Sequence, residues 1–271
     1  MLRRLAAALL CAAAAHAAHA AAAADPFPGV ASAYLVGVNG GVRWAANADR
    51  RLPPASLVKL MTALIVAEDG RGDEAVIVSS TAAAASGARL GLRAGERMRV
   101  DALLAAMLIH SANDACRALA QWQAGSESAF VARMNRRAVE LGLADTAFAD
   151  ACGHDDPRTY STAHDLDVLA RRFMAVEKLA MLVGHERLDV RTQAGRTFHL
   201  TTTNALLGRV PGVRGVKTGY TPNAGTCVIA LTEREGRQVL VVLLHGRDRW
   251  WDAAAMIERA FDVAGPPEHA P

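Results

Sequence analysis

Three short motifs contain residues that could carry out chemistry together, and the first places Ser56 three residues before Lys59. Residues three positions apart on a helix share a face, so the serine hydroxyl and the lysine amine can approach each other. A serine becomes a nucleophile when a neighbouring base takes its proton, and a lysine can be that base if its surroundings favour the neutral form. The start of a helix also offers backbone N–H groups to a developing oxyanion. Taken alone, the motif is better explained by an N-cap serine followed by a solvated lysine.

The second motif places Ser111 and Asn113 between two helical patterns, where a polar loop can project into a cleft. The Ser111 hydroxyl could relay a proton between a lysine and a leaving group. The Asn113 side-chain amide could hold a substrate carbonyl, or it could instead cap the helix that follows. The residues by themselves leave both interpretations of Asn113 open.

The third motif, Lys217-Thr218-Gly219, ends a strand-like run. A lysine beside a hydroxyl provides an anion-binding strand edge, and Gly219 allows a substrate backbone to come close. An exposed strand end is the better explanation if this motif stands alone. The three motifs together change the assessment, because the order S-x-x-K, S-x-N, K-T-G is the signature set of serine enzymes that react with penicillin.

The elements that must position these motifs follow from hydrophobic periodicity and turn residues. Helices are predicted over 56–68, 101–110, 113–123, 130–141, 163–176 and 250–263. Strands are predicted over 33–38, 42–46, 75–79, 213–218, 226–232 and 237–244. Strands at both chain ends with helices between them predict an α+β fold, in which one antiparallel sheet built from both ends is covered by helices. No linker divides the chain, so residues 25–271 are predicted to form a single catalytic domain.

Charge and composition exclude several classes of protein. The chain of 271 residues has 30 basic and 27 acidic side chains, and its 52 % hydrophobic content is ordinary for a globular protein. A net charge of +3 argues against a nucleic-acid-binding protein, which would need a basic face. Beyond the first 24 residues, no apolar stretch reaches the roughly 18–20 residues that span a bilayer.

The first 24 residues have the pattern of a secretory signal peptide. Arg3 and Arg4 precede a run of alanine and leucine that ends in small residues of the A-x-A type. A buried N-terminal helix is the alternative. Cleavage is expected between Ala20 and Asp25, which would release the mature protein into the periplasm.

The remaining cysteines, Cys116, Cys152 and Cys227, are predicted to be buried free thiols. Three is an odd number, and their spacing is not that of a metal site. The nine histidines contain no HxxxH or HExxH pair, so neither a metal nor another cofactor is predicted.

Beyond the three motifs, the chain resembles the serine D-alanyl-D-alanine carboxypeptidases, the low-molecular-mass penicillin-binding proteins. The resemblance extends from about Ala31 to Val263. It is carried by the segments PPASLVKLMTALIVAE, LRAGERMRVDALLAAMLIHSANDACRALA, FVARMNRRAVELGLADTAF, YSTAHDLDVLARR and GVRGVKTGYTPNAGTCVIAL, which follow the order of the family.

The resemblance implies a role for each residue around the nucleophile. Ser56 would form the acyl-enzyme, Lys59 would be its general base and Ser111 a proton relay. Asn113 would contact the substrate amide. The backbone N–H groups of Ser56 and Tyr220 would form the oxyanion hole.

The resemblance also implies where the substrate carboxylate would bind. Lys217 and Thr218, followed by Gly219, would receive the terminal carboxylate of D-Ala-D-Ala, which the β-lactam carboxylate imitates. Arg249 is expected to make a second carboxylate contact, with Arg247 as the alternative. A solvated loop would explain either arginine as well.

The function implied is that of an exported carboxypeptidase, which trims the terminal D-alanine of peptidoglycan stem peptides through a serine acyl-enzyme. Its expected partners are these stem peptides and β-lactam inhibitors, with no nucleic acid. A D,D-endopeptidase that cuts peptidoglycan crosslinks is the main alternative. A β-lactamase is less favoured, because residues 141–176 contain no glutamate to activate a deacylating water. A non-catalytic peptidoglycan-binding protein is less favoured because Ser56, Lys59 and Lys217 are all present.

Two departures from the family pattern bear on these expectations. An Asn-Pro-x-Gly-like stretch of the family is replaced here by Asp150-Ala151-Cys152-Gly153-His154. The resemblance therefore does not predict the details of this loop under the site. Larger members also have a second β-rich domain and a membrane-binding tail. Since only AGPPEHAP follows Val263 here, no stable membrane anchor is expected.

Overall fold

The computed structural model describes residues 25–263, which form helices on both sides of an antiparallel sheet. The helices are α1 Lys59–Glu68, α2 Ser80–Ala83, α3 Val100–Ile109, α4 Asn113–Ala124, α5 Glu127–Glu140, α6 Ala163–Met174, α7 Glu177–Val183 and α8 Arg249–Val263. The strands are β1 Ala31–Val38, β2 Gly41–Ala46, β3 Ala75–Ile77, β4 Arg97–Arg99, β5 Arg187–Arg191, β6 Thr197–Thr201, β7 Val213–Thr221, β8 Gly225–Arg234 and β9 Arg237–Gly246. A 3-10 turn, Ala55–Val58, leads directly into α1.

Five strands form the main sheet in the order β2-β1-β9-β8-β7, and each neighbouring pair is antiparallel. Successive residues of a strand face opposite sides of a sheet. In β1, Tyr34 and Val36 therefore join one hydrophobic cluster, which α8 covers, while Ala33 and Leu35 join another, which helices α1 to α7 cover. The predicted α+β fold, with its sheet built from both chain ends, is confirmed.

Helix α1 runs through the larger cluster, with every residue from Lys59 to Val66 buried. A helix that is apolar on all sides belongs inside a protein. Lys59 is the one charged residue in that buried run, and it stands at the helix start beside the 3-10 turn. The fold therefore places its amine in the core next to Ser56.

The predicted element boundaries differ from the observed ones for local reasons. The helix predicted over 56–68 begins as the 3-10 turn, so Ser56 precedes α1. Helix α5 begins at Glu127 because the Ser126 side chain accepts a backbone N–H of its first turn. The patterns missed α2, α7, β4, β5 and β6, since strands such as RMR and RLDVR contain too few apolar residues for periodicity to register.

The prediction of free thiols is wrong for two cysteines. Cys116 in α4 and Cys152 in the loop after α5 form a disulfide, with their Cα atoms 5.9 Å apart. A separation of 36 residues gives no hint of this pairing, which arises only when the loop folds back over α4. Within residues 25–263, Cys227 alone remains a free thiol, and it is buried as predicted.

The sequence predicts a signal peptide over residues 1–24 and no membrane-spanning stretch after it. Across the part of the chain that the structure describes, no helix combines the length and apolar character needed to cross a membrane. The predicted signal peptide and the residues after Val263 lie outside the described part.

Candidate active site

The 3-10 turn brings Ser56 to the floor of a cleft, with Lys59 directly beneath it. Ala55 has a left-handed backbone (φ +49°), an uncommon conformation that functional sites often contain. The Lys59 Nζ donates a hydrogen bond to the Ser56 Oγ at 2.9 Å. The sequence expectation that these two groups meet is confirmed.

Lys59 is completely buried, and its amine also donates to the Cys152 carbonyl oxygen at 2.6 Å. Burial disfavours the ammonium form and lowers the pKa of Lys59 to about 7, although the Asp150 carboxylate acts in the opposite direction. A substantial fraction of Lys59 is therefore neutral near physiological pH. A neutral amine beside a serine hydroxyl can take its proton.

Ser111 lies in the break between α3 and α4, with a left-handed backbone (φ +61°) that turns its hydroxyl towards the cleft. Its Oγ accepts a hydrogen bond from the Lys217 Nζ at 3.0 Å. This contact joins the second and third motifs, which are 106 residues apart in the chain.

Asn113 begins α4 but does not cap it. The N-cap residue is Ala112, so the capping interpretation is wrong. The Asn113 Nδ2 donates to the Ser86 carbonyl oxygen at 2.6 Å, and its Oδ1 is buried without a hydrogen-bond partner in the described chain. An acceptor is thus left available at the cleft wall.

Strand β7 supplies the opposite wall through Lys217 and Thr218, both of which are buried. Burial, together with the positive charges of Lys59 and Arg249, holds the pKa of Lys217 well below its ordinary value. The Thr218 Oγ1 lies 2.7 Å from the Thr203 Oγ1. An anionic ligand would favour the charged form of Lys217, and the Arg249 charge and the Thr218 hydroxyl would attract it as well.

The close approach that Gly219 permits is between β7 and the 3-10 turn. A Cβ at this position would lie 3.0 Å from the Pro54 carbonyl oxygen and 3.2 Å from the Ser56 nitrogen. The glycine therefore sets the spacing between β7 and the 3-10 turn.

Arg249, at the start of α8, is the arginine that reaches the cleft. Its Nη1 donates to the Gly219 carbonyl oxygen at 2.7 Å, and its guanidinium stacks on the Trp250 ring at 4.5 Å. Burial lowers the pKa of Arg249. Arg247, the alternative, is exposed and does not line the cleft.

The cleft has a volume of about 500 Å³ and is lined by seven of the predicted site residues. These are Ser56, Ser111, Asn113, Thr218, Gly219, Tyr220 and Arg249. Lys59 and Lys217 lie buried beneath it and reach it through the two serine hydroxyls. This size is typical of pockets for small ligands.

Sequence reasoning missed a group of residues in the loop that departs from the family pattern. The His154 Nδ1 lies 3.1 Å from the Asp150 Oδ1, and its Nε2 lies 3.3 Å from the Asn113 Nδ2. Because an amide nitrogen only donates, the His154 Nε2 accepts, and the proton on Nδ1 is donated to Asp150. The departure at Asp150–His154 was the one available signal, and it did not indicate which groups these residues contact.

The Asp150 carboxylate holds this loop together. Its Oδ1 accepts backbone N–H groups from Cys152 at 2.7 Å and Gly153 at 2.8 Å. Burial by itself would raise the pKa of Asp150, but hydrogen bonds from His154 and these N–H groups lower it. Glu127 lies beside Asp150 and Cys152 in a group that resembles a metal-ligand set, but the Cys152 sulfur is bonded to Cys116.

Residues 20–248 match the family model described as D-alanyl-D-alanine carboxypeptidase. The chain is 34 % identical over 230 residues to D-alanyl-D-alanine carboxypeptidase DacF of Bacillus subtilis, covering 83 % of this chain and 59 % of DacF. It thus spans little more than half the length of this curated relative.

Two solved structures resemble the fold closely. The Streptomyces K15 DD-transpeptidase superposes with a TM-score of 0.82 at 26 % identity, covering 87 % of this chain and 98 % of the other. Penicillin-binding protein D2 from Listeria monocytogenes, in its ampicillin-bound form, superposes with a TM-score of 0.76 at 31 % identity, covering 86 % and 98 %.

Proposed function

Because the chain belongs to the D-alanyl-D-alanine carboxypeptidase family, we propose that it removes the terminal D-alanine from peptidoglycan stem peptides. The reaction proceeds through an acyl-enzyme on Ser56, and penicillins acylate the same hydroxyl. The observation that carries this proposal is the hydrogen bond between the amine of the fully buried Lys59 and the Oγ of Ser56 at the cleft.

Acylation begins when neutral Lys59 takes the Ser56 proton. The Oγ then attacks the carbonyl carbon of the penultimate D-alanine, and the backbone N–H groups of Ser56 and Tyr220 stabilise the oxyanion. As the C–N bond breaks, the proton that Lys59 took from Ser56 passes through the Ser111 hydroxyl to the leaving nitrogen, which restores neutral Lys59. Free D-alanine departs, and water hydrolyses the ester to release the shortened peptide.

The carboxylate of the terminal D-alanine binds at the β7 wall. Lys217 and Arg249 contribute positive charge, and the Thr218 hydroxyl can donate a hydrogen bond. These groups surround a buried position, where an ion contact is stronger than in water. A substrate that ends in a free carboxylate is thereby oriented with its scissile bond over Ser56.

Asn113 orients the substrate backbone from the opposite wall. Its Nδ2 is already engaged by the Ser86 carbonyl, so the unpartnered Oδ1 is the group left for the substrate. An oxygen accepts, and we therefore assign it to a substrate N–H rather than to a substrate carbonyl.

Replacing the nucleophile tests the proposal. We expect Ser56→Ala to abolish release of D-alanine from a diacetyl-Lys-D-Ala-D-Ala peptide and to abolish the mass adduct with benzylpenicillin. Release of D-alanine is measured by chromatography and the adduct by intact mass, with peptide mapping to Ser56 in the wild type. Turnover retained by Ser56→Ala would contradict the assignment.

Product analysis separates this activity from the alternatives. Crosslinked muropeptides converted to monomers without release of free D-alanine would instead indicate a D,D-endopeptidase. An adduct that disappears within seconds while hydrolysed drug accumulates would indicate a β-lactamase. Export to the periplasm by residues 1–24 belongs to the same proposal, and the mass of protein recovered from a periplasmic extract tests it.

A further inference from the structure

One short loop, residues 150–154, contacts the proposed catalytic groups on two sides. Its Cys152 carbonyl accepts from the Lys59 amine at 2.6 Å. Its Gly153 packs on the peptide that precedes the nucleophile, where an added Cβ would overlap the Ala55 carbonyl and lie 2.9 Å from the Ser56 nitrogen. The same loop therefore touches the general base and the backbone of the nucleophile.

The loop also contacts the cleft wall that carries Asn113. The His154 Nε2 accepts a hydrogen bond from the Asn113 side chain at 3.3 Å. A displacement of residues 150–154 would consequently disturb three groups of the site at once.

A covalent bond fixes this loop to the wall that carries Asn113. Cys116 follows Asn113 by three residues on α4, so both lie on one face of the helix. Its disulfide to Cys152 is buried, as both cysteines are at most 1 % exposed. The hydrogen bonds that Asp150 accepts are internal to the loop. Those that join the loop to Lys59, Thr62 and Asn113 are noncovalent, so within the described residues the disulfide is its one covalent crosslink.

We propose that the Cys116–Cys152 disulfide is a positioning element for acylation, which holds the Cys152 carbonyl on Lys59 and Gly153 against the nucleophile. This inference rests on the proposed function. Reduction by a dithiol breaks the S–S bond, gives two cysteine thiols and oxidises the reductant to its disulfide. The reduced protein stays folded but acylates slowly, because its reacting groups are less well aligned.

The pH dependence of acylation distinguishes this role from simple stabilisation of the fold. The charged groups that face Lys59 are Asp150 from the loop and Lys217 from β7, with Arg249 of α8 acting on Lys217. A loosened loop admits water, which raises the pKa of Lys59, while retreat of Asp150 lowers it. Burial is the larger influence, so the net change is upward and the rate profile shifts to higher pH.

The test compares C116S/C152S with wild type and with the control variant C227S. Serine suits all three positions, because each sulfur lies near a carbonyl oxygen that a hydroxyl could reach. The distances are 3.2 Å from the Cys116 Sγ to Ala151, 3.8 Å from the Cys152 Sγ to Asn113, and 3.6 Å from the Cys227 Sγ to Ala224. The rate constant of adduct formation with benzylpenicillin is measured across neutral and mildly alkaline pH, and intact mass verifies the redox state of each sample.

We expect C116S/C152S to acylate at least about tenfold more slowly at neutral pH and to regain part of this rate at alkaline pH. The C227S variant should match wild type. Dithiothreitol should slow wild type and C227S, but it should not affect C116S/C152S.

Equal rates and equal pH profiles in all samples would overturn the inference while leaving the proposed function in place. Absence of a Ser56 adduct in oxidised wild type would overturn the proposed function and this inference with it. Circular dichroism establishes that each sample is folded. If C116S/C152S does not fold, wild type with and without dithiothreitol provides the deciding comparison.

Discussion

Lys59 and Lys217 are buried beneath the same cleft, and burial has a different consequence for each. The pKa of Lys59 falls to about 7 because its amine is desolvated, which prepares it to accept the serine proton. Lys217 is desolvated and also faces two cations, Lys59 and Arg249. A bound substrate carboxylate would favour the charged form of Lys217, so its protonation and substrate binding are linked.

The rate of acylation by benzylpenicillin should rise with pH through about 7, because only neutral Lys59 can take the Ser56 proton. Below this pH the amine is protonated and the rate falls. Lys59→Arg retains the positive charge, but a guanidinium does not deprotonate, so acylation above pH 7 should fall by about 10²–10⁴-fold and the rise in rate through pH 7 should disappear. Adduct formation followed by intact mass provides both measurements. A rate independent of pH, or normal acylation of Lys59→Arg, would show that another group is the base.

Between elements, Gly219 of β7 lies against the 3-10 turn that carries Ser56, the proposed nucleophile. Strand β7 is an edge of the main sheet, and Gly219 faces the turn that carries Ser56. A Cβ there would meet the Ala55 Cβ and backbone atoms of Pro54 and Ser56, none of which can rotate away as the end of a long side chain can.

Gly219→Ala should therefore slow acylation more than it destabilises the fold. Its Cβ would lie 3.0 Å from the Pro54 carbonyl oxygen, so the turn must shift by a few tenths of an ångström. We expect a loss of about tenfold in the acylation rate, since small misplacements of reacting groups are costly. Adduct kinetics and urea denaturation are compared on the same sample. A normal rate in the folded variant would mean that this spacing does not position Ser56.

The main sheet could be predicted from sequence because β8 and β9 are long, apolar and separated by a two-residue turn. The three motifs could also be found, since each lies at a helix start, a helix break or a strand end. The 150–154 loop could not, because its contacts to Lys59 and Asn113 come from tertiary packing and leave no periodic pattern. The disulfide was missed for the same reason. Cys116 is a regular buried position of α4 until Cys152 is placed beside it.

In the whole molecule, the two faces of the main sheet belong to two separate hydrophobic clusters. The face towards α1 to α7 belongs to the cluster that includes the apolar residues of α1 and of the 3-10 turn beside Ser56. The face towards α8 belongs to a second cluster, in which Met256, Ile257 and Ala260 pack on alternate residues of β1, β8 and β9. Apart from Arg249 at its first residue, α8 contributes little to the cleft lining.

This division predicts that damage to the second cluster reduces stability and leaves chemistry intact. Ile257 is fully buried there, so Ile257→Ala should lower the free energy of unfolding by about 2–5 kcal/mol through lost apolar burial and a residual cavity. The folded fraction should still be acylated at the wild-type rate, because Ile257 lies outside the cleft lining. Urea denaturation measures the first quantity, and penicillin adduct kinetics on protein shown to be folded measure the second. A slower acylation rate in the folded variant would show that the sheet transmits changes from one face to the other, and that the two clusters are not independent.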